Sequence, residues 1–116
     1  MNNNPLFDVI RYEIKSNDVV VFVKGIKEFP LSAASAYVIE LLELLSIKYK
    51  LIDVAQDFSM QEAILAFAEW PRIPIVYVKQ VFLGDADVLR DMEKNGDLYR
   101  FLTQHEINYT LCDSLL

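Results

Sequence analysis

The sequence predicts a three-layer α/β/α sandwich built on a four-stranded mixed sheet. Three observations carry this prediction. The run Val19-Val20-Val21-Phe22-Val23 has the uninterrupted apolar, β-branched character of a strand buried on both faces. Helical and strand-like periodicities follow one another in the order αβαβαββα, with a further short helix at the end. Two apolar runs flank Lys79-Gln80, the spacing of a two-residue hairpin turn.

Each element has its own local reason. Residues 6–16 place Leu6, Val9, Ile10 and Ile14 on one helical face, and Asn17-Asp18 then signals a turn before the first strand. From residue 31 to about 46, Val38, Leu41, Leu42 and Leu45 again recur at helical spacing. Residues 49–54 alternate like a strand. Residues 57–68 read as a helix with Asp57 as its N-cap and Ile64, Leu65 and Ala68 inward. Strands follow at 73–78 and 81–83, then helices at 85–95 and 97 to about 104 divided by Gly96. One domain is expected over residues 1–104, with an irregular or docked tail over 105–116.

Composition narrows the function classes. The 116 residues are 53% hydrophobic and 24% charged, ordinary values for one compact domain. A net charge of −6, with no cluster of lysine or arginine, argues against nucleic-acid binding. No apolar run approaches the roughly 20 residues of a membrane-spanning helix. The stretch Met1-Asn2-Asn3-Asn4-Pro5 has the pattern of neither an export signal nor a transit peptide, so the expected compartment is the cytoplasm. Cys112 is the single cysteine and His105 the single histidine, so neither an internal disulfide nor a protein-only transition-metal site is expected.

Three stretches carry a resemblance that spans about residues 6–104. Lys24-Gly25 is followed by Pro30 and then Ser32-Ala33-Ala34-Ser35. Trp70-Pro71-Arg72-Ile73-Pro74 comes next, and Val78-Lys79-Gln80-Val81-Phe82-Leu83-Gly84-Asp85-Ala86-Asp87 after it. In this order and spacing the chain resembles the monothiol glutaredoxins, whose loop ends in Cys-Gly-Phe-Ser. The resemblance implies a thioredoxin-like fold, glutathione-dependent redox chemistry and handling of iron–sulfur clusters. It also implies a glutathione groove. Lys24 would stand near the glycyl carboxylate, and Ile73 before a cis Pro74 would pair with the cysteinyl unit. The helix start at Asp85, Ala86 and Asp87 would receive the γ-glutamyl end. Gln61 takes the place of an arginine that many members use on the glycyl carboxylate, and Arg72 is a candidate replacement for it. The glutathione-binding candidates are therefore Lys24, Gln61, Arg72, Ile73, Pro74, Asp85, Ala86 and Asp87.

Ser32 occupies the position of the family's cysteine. Thiol–disulfide exchange requires sulfur in both partners, and a [2Fe–2S] cluster is held mainly by thiolates. No catalytic residue, no metal site and no resident cofactor are expected; the resemblance leaves glutathione open as a ligand, and a [2Fe–2S] cluster is not expected without the cysteine ligand. Ala86 replaces a second family cysteine, Ala33-Ala34 replaces Gly-Phe, and Asp85 brings negative charge to a carboxylate-binding end. Ser32 and Ser35 are expected to act as helix-capping hydroxyls, and Cys112 to be a packed or incidental thiol. The favoured expectation is a redox-inactive protein that uses the former active-site face to bind a protein partner, either a second copy or a BolA-like protein. Residual glutathione binding or cluster carriage in a mixed assembly is the alternative, and true glutaredoxin activity a third.

Overall fold

A computed structural model describes residues 4–111. The elements run α1 (Leu6–Ser16), β1 (Val19–Val23), β2 (Gly25–Ile26), β3 (Phe29–Pro30), α2 (Ala33–Leu44), β4 (Lys50–Asp53), α3 (Phe58–Ala68), β5 (Ile75–Val78), β6 (Val81–Gly84), α4 (Ala86–Asn95) and α5 (Asp97–Gln104). Four strands form one mixed sheet in the order β4-β1-β5-β6. β1 runs parallel to β4 with Val21 opposite Leu51, and antiparallel to β5 with Val21 opposite Val76. The β5–β6 hairpin is antiparallel and closes through Lys79 and Gln80, both at positive φ (49° and 68°), as a turn matched to strand twist requires.

The strand period divides the core in two. Val19, Val21 and Val23 point to the layer holding α2, α4 and α5, where they meet Val38, Leu42, Leu89 and Leu102. Val20 and Phe22 point the other way, against Phe7, Ile10 and Ile14 of α1 and Met60, Ala63 and Ile64 of α3. All five β1 residues are buried, which makes β1 the spine of the molecule. Each such side chain contributes on the order of 2 kcal/mol through burial.

Two local expectations change. Val9 is exposed on α1, and Phe7 takes the inward place, stacking edge-on against Phe67 at 5.3 Å. A neighbouring aromatic ring buries more apolar area than valine does, so it sets the rotation of the helix. The segment after β1 also has more structure than a loop. Gly25 and Ile26 pair antiparallel with Pro30 and Phe29, forming a small hairpin that delivers the chain to α2. After α5 the chain is irregular to residue 111, with Ile107 buried and the Thr110 N–H donating to the Leu45 carbonyl at 2.8 Å. Among the described residues, no helix is long and apolar enough to cross a membrane.

Candidate functional site

The C-terminal end of β1, the start of α2, the approach to β5 and the start of α4 frame the site. Ser32 has extended backbone angles and is the N-cap of α2, where its Oγ accepts from the Ser35 N–H at 3.0 Å. Ser35 acts differently from the expected cap. It is fully buried and its Oγ accepts from the Lys24 N–H at 3.1 Å, tying the end of β1 to the first turn of α2. Once Ser32 satisfies the free N–H of the turn, the Ser35 hydroxyl is left for the nearest orphan donor.

The Lys24 carbonyl accepts from the Leu31 N–H at 2.8 Å, closing the base of the β2–β3 hairpin. Its ammonium has no hydrogen bond or ion pair among the described residues. Gly25 stands at φ 103°, and a Cβ there would be driven into the Phe29 carbonyl and the Leu31 nitrogen, so only glycine fits. Asp53, a residue the sequence pattern did not single out, fixes this corner. Its Oδ1 accepts from the Gly25 N–H at 2.8 Å and from the Ala55 N–H at 2.9 Å. An aspartate bonding the backbone two residues on is an Asx-turn, and a strand that ends in Asp before a loop is the signal that reveals it.

Gln61 does not face a ligand position as a free donor. Its amide nitrogen donates to the Val54 carbonyl at 2.7 Å and stitches the β4–α3 loop. Asp57 caps α3 as expected, accepting from the Met60 N–H at 3.0 Å.

The second half of the site is one connected group. The Ile73–Pro74 peptide is cis, as expected, immediately before β5. Trp70 and Arg72 reach from this segment across to the start of α4. Asp85, the N-cap of α4, accepts from the Val88 N–H at 3.1 Å through Oδ1. Its Oδ2 accepts from the Trp70 Nε1–H at 3.1 Å and from the Arg72 Nε–H at 2.6 Å. Ala86 is buried beside it. Asp87 is exposed and pairs with Arg90 at 3.0 Å and with the Arg72 Nη2 at 3.6 Å. Arg72 thus serves these two carboxylates, and no contact carries it to Gln61, whose missing arginine it was a candidate to replace. Burial would raise the Asp85 pKa. The hydrogen bonds from Trp70, Val88 and Arg72 outweigh it and, with the guanidinium charge, hold the carboxyl below the usual carboxylate range.

The structure therefore brings Arg72, Asp85, Ala86 and Asp87 together beside the cis Ile73–Pro74 segment, and the bonds of Lys24 and Gln61 are made outside that group. Cys112 lies outside the described residues. A cleft of about 440 Å³ lined by Asn17, Lys48, Lys50 and Asn108 opens at the opposite end of the sheet and holds none of the predicted residues. The His105 ring stacks on Phe101 at 4.0 Å in that same distal part of the chain, so Ser32 has no imidazole as a base.

The comparisons with known proteins agree with this geometry. Residues 19–83, more than half of the chain, match the family model Glutaredoxin. The chain is similar to the Probable monothiol glutaredoxin 2 of Rickettsia prowazekii (strain Madrid E), with 33% identity over 102 residues covering 88% of this chain and 95% of the relative. A monothiol glutaredoxin ycf64-like protein of Synechocystis is 35% identical over 89 residues, covering 77% of this chain and 83% of that one. Among solved structures, a monomeric truncated mutant of Trypanosoma brucei 1-C-Grx1 superposes with a TM-score of 0.80 at 35% identity, covering 88% of this chain and 93% of that one. A thioredoxin-like sheet, the framed loop at Ser32 and these likenesses lead to one conclusion: the chain belongs to the glutaredoxin family, on its monothiol branch.

Proposed function

We propose that this glutaredoxin-family protein does not carry out thiol–disulfide exchange and that it binds another protein through the face around Ser32. The observation behind this reading is the role of the Ser32 hydroxyl, which is the N-cap acceptor of α2 at the position where the family carries its thiol. A mixed disulfide cannot form on oxygen. An unassisted alcohol is also a weak nucleophile. The residues here do not fit the thiolate set of a [2Fe–2S] cluster either, because Ser32 offers an alcohol already engaged as a cap and Ala86 offers no donor atom.

The same face supports binding. Phe29 is 73% exposed and Leu31 59%, with Ile26 also exposed on the hairpin they share. Large apolar side chains grouped on one solvent-facing loop are characteristic of protein contacts. A second copy and a BolA-like protein are the partners to try, since the family resemblance offers both.

Two measurements test the reading. In a glutathione-coupled assay on a glutathionylated peptide, the protein should give no turnover above the uncatalysed rate, and measurable turnover overturns the redox part. In sedimentation and calorimetry, alone and with a BolA-like protein, Phe29→Asp should weaken whatever association the unmodified chain shows. Equal association by Phe29→Asp would place the contact elsewhere.

A further inference from the structure

We infer that the first turn of α4 is an anion site whose occupant is built into the chain, namely the Asp85 carboxylate, with Arg72 as its counter-ion. This goes beyond the reading above because it is carried by Asp85 and not by Ser32, and the two fail in different experiments.

The donors around Asp85 come from separate parts of the chain. The Val88 N–H comes from the helix itself at 3.1 Å, the Trp70 indole N–H from the approach to β5 at 3.1 Å, and the Arg72 Nε–H at 2.6 Å. Both carboxylate oxygens are used, and the side chain is 2% exposed. A helix start with an indole N–H and a guanidinium converging on two oxygens has the composition of a carboxylate receptor.

Asp57 provides the comparison within the same chain. It also caps a helix, α3, through one N–H at 3.0 Å, but it is exposed, and its cap bond is with the helix alone. A plain cap therefore needs neither burial nor a guanidinium, and Asp85 has both.

Occupation from within has a consequence for specificity. An incoming carboxylate, such as that of an amino acid or of the γ-glutamyl end of glutathione, would find the Val88, Trp70 and Arg72 donors taken. It would also meet the charges of Asp85 and Asp87, and the Arg72 Nη2 is already directed at Asp87 at 3.6 Å. Asp85 is thus a specificity-determining residue that closes this end of the groove to free carboxylates, and Arg72 positions it.

The test is chemical replacement of the occupant. Asp85→Ala removes the carboxylate and leaves the three donors. The probes are sodium acetate and reduced glutathione, against sodium chloride at equal ionic strength. The readouts are thermal unfolding, fluorescence of Trp70, which is the single tryptophan of the chain, and calorimetry. Unmodified protein should respond to acetate no more than to chloride. Asp85→Ala should unfold at lower temperature, regain at least half of that loss in acetate along a saturating curve with a parallel change in Trp70 emission, and bind glutathione roughly tenfold or more tighter than the unmodified chain. Identical responses of Asp85→Ala to acetate and chloride overturn the inference, as does glutathione binding by the unmodified chain as tight as by the variant. If Asp85→Ala does not fold, Asp85→Ser retains an oxygen to cap Val88 and is measured in the same way, with the same two outcomes decisive.

Discussion

Arg72 holds Asp85 at 2.6 Å from a side chain that is itself 56% exposed, while the carboxylate it holds is 2% exposed. One partner is half in water and the other almost entirely out of it, so the pair's stabilising effect is unequal between its members. Removing the arginine strips a charge-assisted hydrogen bond from a buried anion, yet the remaining Trp70 and Val88 donors soften the loss.

Arg72→Ala should therefore cost about 1–2 kcal/mol, below the cost of breaking a fully buried pair because the guanidinium is solvent-screened. Urea unfolding measures it. Combined with Asp85→Ala, the double variant should lose less than the sum of the two single losses, since each removes the same contact. Strict additivity would mean that the two side chains are energetically independent despite their geometry.

The pH dependence follows from the sign of the Asp85 shift. Its folded-state pKa is lowered, so the carboxylate's contribution is fully present above the ordinary unfolded value near 3.9 and is lost as pH falls through the lower folded value. The stability gap between the unmodified chain and Asp85→Ala should stay constant from neutrality down to about pH 5 and shrink below about pH 4. A gap that grows with acid contradicts the assignment.

The two serines of the loop should separate in stability. Ser32→Ala removes a cap at the surface and should cost about 1 kcal/mol. Ser35→Ala strands the Lys24 N–H beside a buried methyl and should cost more, about 1–3 kcal/mol. Thermal unfolding of both variants in one buffer gives the order directly. Ser32→Cys, at the same helix start, should titrate below the free-cysteine value of about 8.5, followed by thiolate absorbance.

Gly25→Ala should be the most damaging single methyl in the hairpin. The residue sits at φ 103° and an added Cβ runs into backbone atoms of Phe29, Pro30 and Leu31 that cannot rotate away. A loss of roughly 2 kcal/mol or more is expected, because both the strain and the collision with backbone must be relieved by opening the β2–β3 pairing. Amide exchange at Leu31, whose N–H closes the hairpin on Lys24, should accelerate in the variant.

Much of the architecture was legible because its causes are local. The β-branched run at 19–23, the Asp57 cap, the two-residue turn at Lys79-Gln80 and Gly96 between two helices each depend on a few neighbouring residues, and each appears where the sequence places it. Where several residues compete for one face, sequence spacing was not enough. Phe7 and Val9 both fit an amphipathic helix, and only the Phe67 ring opposite decides which turns inward. The turn at Asp53 has a local signal, but its bond to the Gly25 N–H does not, because the two residues lie 28 positions apart.

The region around Ser32 shows the same division. By itself the sequence determined that the loop carries an alcohol where the family carries a thiol, since that is a matter of covalent identity. It also determined the glutaredoxin-type sheet, since strand burial and turn chemistry are written in consecutive residues. Only the tertiary structure decided what Asp85, Arg72 and Ser35 do. Each has several possible partners in the sequence, and the choice among them is made by burial. A carboxylate or hydroxyl taken out of water has to find its donors among whatever groups the fold brings within about 3 Å.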